Sequence, residues 1–282
     1  KTAGTVTVSN AVNIQGTTAE VTDALVTDSS LVVATSATVE ISNASTVDEL
    51  NAIAAKTDAV VTGSIAATSL ASLSGLNTAG TDVITITVND AAGTLNATDL
   101  STLGAKTAGT VTVSNAVTIS GTTAEVTDAL VTDSTKVTAS TALVTITDGS
   151  GDIDATDLSA IGEKTSGQVT VSNAVNIQGT TAEVTEALVT DDSLVVATSA
   201  TVEISNASTV DELNAIAAKT DAVVTGSIAA TSLASLSGLN TAGTDVITIT
   251  VNDAAGTLNA TDLSALGAKT AGTVTVSNAV NI

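Results

Sequence analysis

The groups in this chain that could do chemistry are carboxylates, hydroxyls and a few ammonium groups. There are 29 Asp and Glu, 55 Thr, 29 Ser and seven Lys, with no Arg, His, Cys, Met, Pro or aromatic residue. Without His or Cys there is no imidazole base, thiolate nucleophile, zinc cage or disulfide framework. Catalysis could rest only on Ser/Thr–Lys or carboxylate pairs. Every such group recurs in copies along the chain, so no unique constellation is marked and the expectation is a protein that is not an enzyme.

The densest acidic run is DGSGDID, residues 148–154. It has the look of a calcium loop, and Asp148, Asp152 and Asp154 are its candidate ligands. An EF-hand needs Gly at the sixth position and an acid at the twelfth, where this run has Ile153 and Ser159. The aligned segments NDAAGTLN (89–96) and SNASTVD (42–48) mark it as one variant of a recurrent turn. Calcium is therefore the weak exception to an otherwise cofactor-free reading. Asn10, Asn43, Asn89, Asn115, Asp148 and Asn173 close strand-like runs, where short amides and carboxylates satisfy backbone groups or stack into ladders. Thr pairs two residues apart recur at Thr5/Thr7, Thr85/Thr87, Thr110/Thr112, Thr145/Thr147, Thr248/Thr250 and Thr273/Thr275. They resemble the flat face of ice-binding solenoids, but Glu40, Gln168 and Glu203 interrupt the file. Asn43, Asn96, Asn206 and Asn259 stand in N-x-[ST] sequons, which a chain this rich in Ser and Thr produces by chance.

The elements that position these groups follow from repetition. Residues 164–282 match residues 1–119 except at Ala3/Ser166, Thr5/Gln168, Asp23/Glu186, Ser29/Asp192, Thr102/Ala265 and Thr118/Asn281. Residues 269–282 repeat residues 1–14 without a change. Lys1, Lys56, Lys106, Lys164, Lys219 and Lys269 each open a Lys-Thr unit, giving units 1–55, 56–105, 106–163, 164–218, 219–268 and a truncated 269–282. The chain begins and ends inside this pattern, which points to a window of something longer.

A finer period lies beneath. The runs VTVSN (6–10), VEISN (39–43), ITVND (86–90), VTVSN (111–115) and VTITD (144–148) alternate apolar and polar, the period of a half-buried strand. Each is followed by a cap residue with an acid three positions on: Thr17/Glu20, Thr46/Glu49, Asn96/Asp99, Thr122/Glu125 and Asp154/Asp157. This is the capping-box pattern or its Asp variant. Apolar pairs come next: Val21/Ala24, Leu50/Ile53, Leu70/Leu73, Leu100/Leu103, Val126/Ala129 and Leu158/Ile161. Lys56, Lys106 and Lys164 then fall near the end of the helix so implied, where its dipole favours a cation.

The first apolar residues fall at 21, 50, 70, 100, 126, 158, 184, 213, 233 and 263, a mean spacing of about 27, in the range of strand-containing solenoid repeats. The expected architecture is one continuous solenoid over 1–282. Each coil is a β-strand in a parallel sheet, a turn, and a short helix or second strand, so both β-solenoid and α/β-solenoid remain open. A β-sandwich array is the alternative, but such domains usually hold Trp or Tyr in the core. Ten coils at about 4.8 Å make a rod of roughly 50 Å, on which the net charge of −22 approaches the linear density of duplex DNA.

The strings NATDLSTLGAKTAGTVTVSN (96–115) and GTTAEVTDAL (16–25) resemble the repeat tracts of very long secreted or cell-surface proteins of bacteria, marine cyanobacteria especially. The resemblance covers nearly the whole chain. It implies a secreted or surface-displayed structural role with no activity, and it transfers no functional residue.

The functional expectation is an extracellular or cell-surface structural protein that forms a fibre, filament or surface layer. The alternative is the shaft or spacer of an adhesin or phage fibre, and an ice- or mineral-binding solenoid is third. The expected partner is the protein itself, head to tail or through a continuing chain, with divalent cations between fibres. The acidic charge argues against nucleic acid. The longest uncharged stretches, residues 59–81 and their copy 222–244, are too broken by Ser, Thr, Gly and Asn to span a membrane.

Overall fold

The computed structural model describes residues 4–27, 32–132, 134, 137–190 and 194–282. Lys1, Ala3, Ser29 and Asp192 lie outside the described residues. The chain divides into two compact units, Lys1–Leu143 and Val144–Ile282. Each is built of parallel strands alternating with short helices.

The local sequence explains the alternation. Val, Ile and Thr fill the strands, where β-branched side chains pack well on a pleated surface. A capping residue then starts a helix of at most two turns. Among the described residues there are ten α-helices, and all ten anchor positions from 21 to 263 fall inside them. The segment after each cap is therefore a helix, and in most repeats a second strand runs directly into it, as Thr94–Asn96 runs into Ala97–Gly104. A helix this short is unstable alone and depends on packing. Its inner face carries the expected pairs, with one change. Ala24 is half-buried beside the buried Leu25, whereas in the copies of this helix both residues are buried, Ala129 with Leu130 and Ala187 with Leu188.

In the first unit a six-stranded parallel sheet runs in the order Val137–Thr138, Val111–Val113, Val83–Val88, Val61–Ile65, Thr38–Ser45, Asn13–Gly16. Thr94–Asn96 pairs in parallel with Thr118–Gly121, and Val6–Thr7 with Val32–Val33. Strands of successive repeats pair in parallel: Ile14 faces Val39, Val39 faces Val61, Ile86 faces Val111 and Val111 faces Val137, with a shift of register between Glu40 and Ala44 where Thr38–Ser45 meets Val61–Ile65. The second unit carries a corresponding sheet, in the order Asp152–Asp154, Asn176–Gly179, Thr201–Ser208, Val224–Ile228, Val246–Val251, Val274–Val276.

The short third repeat makes the sheet step sideways. Its helix is only Leu70–Leu73. The next strand, Val83–Val88, then offers its first half to the repeat before it and its second half to the repeat after it. Residues 83–85 pair with 62–64, whereas 86–88 pair with 111–113. The second unit repeats this step in Val246–Val251.

The core lies between sheet and helices and is made of small aliphatic groups. Leu50, Ile53, Leu100, Leu158, Ile161 and Leu213 enter from helices, and Ile84, Ile86, Ile119, Ile146 and Ile177 from strands; all are fully buried. Full burial of such side chains contributes about 1.5–3 kcal/mol each. Leu100→Asp is expected to open its repeat, because the buried charge would have no partner, at a cost of several kcal/mol. Hydrogen exchange should show lost protection centred on residues 97–121, and unchanged protection there would contradict this placement.

Candidate functional site

The acids that follow the caps are occupied by the backbone. At Thr46, the backbone N–H and the hydroxyl each donate to Glu49 Oε2 at 2.8 Å, and Glu49 N–H donates to Thr46 Oγ1 at 3.3 Å. Complete boxes of this kind start the helices at Thr17, Thr46, Thr122, Thr180 and Thr209. The cap N–H, and next the hydroxyl, hold Glu20, Glu49, Glu125, Glu183 and Glu212 below the ordinary carboxylate range.

The Asp variant of the box does not form. Asn96 accepts from Thr98 N–H at 2.9 Å, one residue earlier than in a box, and Asp154 makes no side-chain cap bond. Asp is one methylene shorter than Glu, so its carboxylate falls short of the cap N–H. Burial, then the charge of Asp154, pushes Asp157 up instead.

The Lys-Thr junctions also have a structural explanation, carried by the threonine. Thr107 is buried, and its hydroxyl oxygen stands at the centre of four backbone groups. It accepts from Ile84 N–H and Gly109 N–H, each at 2.8 Å, and lies 2.8 Å from Ile84 O and 3.0 Å from Asp82 O as their donor. Thr270 repeats this arrangement in the second unit, and Thr57 and Thr220 make a reduced form of it. Lys56, Lys106, Lys164, Lys219 and Lys269 each lie one residue past a helix C-cap and close the last turn through the backbone N–H.

Asp82 and Asp245 are the acids that sequence reasoning missed. Both are only 3% exposed. Asp82 accepts from Val61 N–H at 2.8 Å and Ala79 N–H at 2.9 Å, and Asp245 repeats this with Val224 and Ala242. Their signal was the position just before VITITV, at the point where the sheet steps.

The candidate calcium ligands are dispersed. Asp152 and Asp154 are exposed on one face of their strand, with Ile153 buried on the other. Asn176 donates to Asp152 Oδ1 at 2.9 Å and Gln178 to Asp154 Oδ1 at 3.2 Å. Asp148 is half-buried, and its backbone carbonyl accepts from Asn173 Nδ2 at 2.6 Å. Among the described residues no group of three or more acids could hold a metal ion.

The strand-end amides do form ladders in part. Asn115 Nδ2 donates to Asn89 Oδ1 at 3.0 Å and to Asp90 O at 2.6 Å, and Asn278 repeats this on Asn252 and Asp253. Asn43 instead accepts from the N–H of Thr18, one repeat earlier, at 2.7 Å, as Asn206 does from Thr181. The sequon amides are thus engaged in capping. In the threonine file, Thr87, Thr112 and Thr138 stand in register, but Gln15 and Glu40 occupy the line below Thr62.

A cleft of about 530 Å³ lies beside the short helix Leu70–Leu73. Leu70, Leu73, Leu95 and Leu103 line it, with Asp90, Asp99 and Lys106 at its polar edge. Asp90 is already bonded to Leu70 N–H at 2.7 Å. A second cleft of about 470 Å³ repeats it in the other unit, with Ala265 in place of Thr102. No family model, no curated protein and no solved structure matches this chain. Among the described residues no helix is long and apolar enough to cross a membrane.

Because the bonded form of each box glutamate is the anion, its stabilising effect is present above the unfolded-state value and lost as pH falls through the lower folded one. In a carboxyl NMR titration Glu49 should titrate below the usual value of about 4.3 and Asp157 above about 3.9. Thr46→Ala removes the hydroxyl but keeps the cap N–H, so it should move Glu49 only part of the way back toward the ordinary range and destabilise its repeat by about 1 kcal/mol. An unchanged Glu49 midpoint in that variant would rule out a contribution from the hydroxyl.

Proposed function

We propose that this chain is an extracellular structural repeat protein, not an enzyme, whose repeats stack as a solenoid into a fibre or surface layer. The observation that supports the reading is the parallel pairing of strands from successive repeats. A repeat built this way exposes the same pairing edge that it covers, so its natural product is length. The polar chemistry supports the same reading. Box glutamates, junction threonines and strand-end amides are bound to backbone in copy after copy, which serves architecture and leaves no unique reactive group.

The net charge of −22 suits such a fibre, because like-charged fibres repel one another and stay dispersed unless divalent cations bridge them. Absence of Cys and Met leaves no readily oxidised side chain, in keeping with an extracellular setting. The shaft of an adhesin or phage fibre would use the same stack as a spacer.

Electron microscopy of the purified chain is expected to show thin particles of uniform width, with diffraction near 4.8 Å along the long axis. Filaments without a terminal knob favour the polymer, and a knob on a rod of fixed length favours the shaft. Compact particles lacking the axial repeat would overturn both.

A further inference from the structure

The third repeat is shorter than its neighbours on the helical side. Its helix Leu70–Leu73 has four residues, whereas Val47–Ala54 before it and Ala97–Gly104 after it have eight each. The missing turn amounts to about 6 Å of helix, and the gap opens toward one neighbour only. On the side of Val47–Ala54 it is tied shut by Asn51. Its Nδ2 donates to Gly75 O at 2.8 Å, and its Oδ1 accepts from Asn77 N–H at 2.7 Å. On the side of Ala97–Gly104 it is the cleft of about 530 Å³, a volume in the range of small-molecule sites. Asn214 makes the same two bonds, to Gly238 and Asn240, beside the second cleft.

The cleft combines an apolar floor with charges of both signs. Leu70, Leu73, Leu76, Leu95 and Leu103 line it. Asp99 is exposed, because the box that it would close does not form. Among the described residues its carboxylate has no hydrogen-bond or ion-pair partner. The ammonium of Lys106 has none either; this residue is bonded only through its backbone, to Leu103 O and Thr78 Oγ1. Asp90 adds a second carboxylate, of which Oδ2 is held by Leu70 N–H.

Asp99 and Lys106 stand seven residues apart, one in the first turn of a helix and the other just past its end. Their attachment points are therefore about 10 Å apart along the axis. A ligand that meets both needs a cation and an anion at about that separation, joined by an apolar body. An extended peptide advances about 3.3–3.6 Å per residue, so about three residues span the distance. We propose that the cleft binds a short apolar peptide with free ends, its ammonium at Asp99 and Asp90 and its carboxylate at Lys106. Aliphatic side chains of the peptide rest on the leucine floor, where burial drives binding, and the end charges set its direction. A protein segment running through the cleft would lack both end charges. The inference uses one cleft within one unit and does not depend on the fibre reading.

The chain has no aromatic residue, so a tryptophan in the ligand is seen without background. The probe is the tripeptide Leu-Trp-Leu, titrated against the full chain. Its emission is expected to shift to shorter wavelength and to saturate, and hydrogen exchange should slow in residues 70–76 and 95–106. Acetylating the amino end, or amidating the carboxyl end, should each weaken binding about fivefold. Asp99→Asn with Asp262→Asn should shrink the acetyl penalty, and Lys106→Gln with Lys269→Gln the amide penalty, each with the thermal midpoint unchanged. Ala71→Leu with Ala234→Leu fills both clefts from exposed positions and should abolish the shift. Equal affinity of free and blocked peptides would overturn the proposal in favour of a threaded protein segment. Absence of the shift, penalties unchanged in the charge variants, or binding that survives Ala71→Leu with Ala234→Leu would each overturn it as well.

Discussion

Parallel, in-register pairing between successive repeats is the constraint on which the rest of the structure depends. It places apolar residues of one repeat beside apolar residues of the next, as Ile86 beside Val111 and Val111 beside Val137. A side chain that suits one level must then suit its neighbours, so the sequence has to repeat. Leu, Ile, Val and Ala fill the core without any aromatic residue. Pro would remove an N–H from a ladder that needs every donor, and none is present.

The polar residues follow from the same constraint. Each repeat turns sharply between strand and helix, and every turn leaves backbone groups in need of partners. Thr-Glu boxes satisfy helix starts, the hydroxyl of Thr107 serves four backbone groups, and the carboxylate of Asp82 takes two N–H groups at the sheet's step. Twelve residue types suffice because the structure asks for small apolar groups, short polar caps and a charged exterior.

Much of this was legible in the sequence because it is local. The spacing of apolar anchors located all ten helices, and cap-plus-Glu patterns located the boxes. Where local patterns misled, side-chain reach was the reason: Asp99 and Asp157 hold the acid position of a box but are too short to close it. What stayed hidden is non-local. The sideways step at Val83–Val88, the burial of Asp82 and the clefts beside the short helices all depend on register between repeats, which no single run of residues encodes. In residues 148–154, Asp152 and Asp154 accept from the side-chain amides of Asn176 and Gln178 on the next strand, a partnership their own run of sequence does not encode.

The pairing register admits a direct chemical measurement, since the chain has no cysteine of its own. Thr87 and Thr112 face each other in adjacent parallel strands, at a spacing a disulfide can bridge. A chain carrying Thr87→Cys and Thr112→Cys should form an intramolecular disulfide under mild oxidation. A chain carrying Thr87→Cys and Thr110→Cys, two residues out of register, should remain largely reduced. Faster oxidation of the offset pair, or none in either, would contradict the in-register stack.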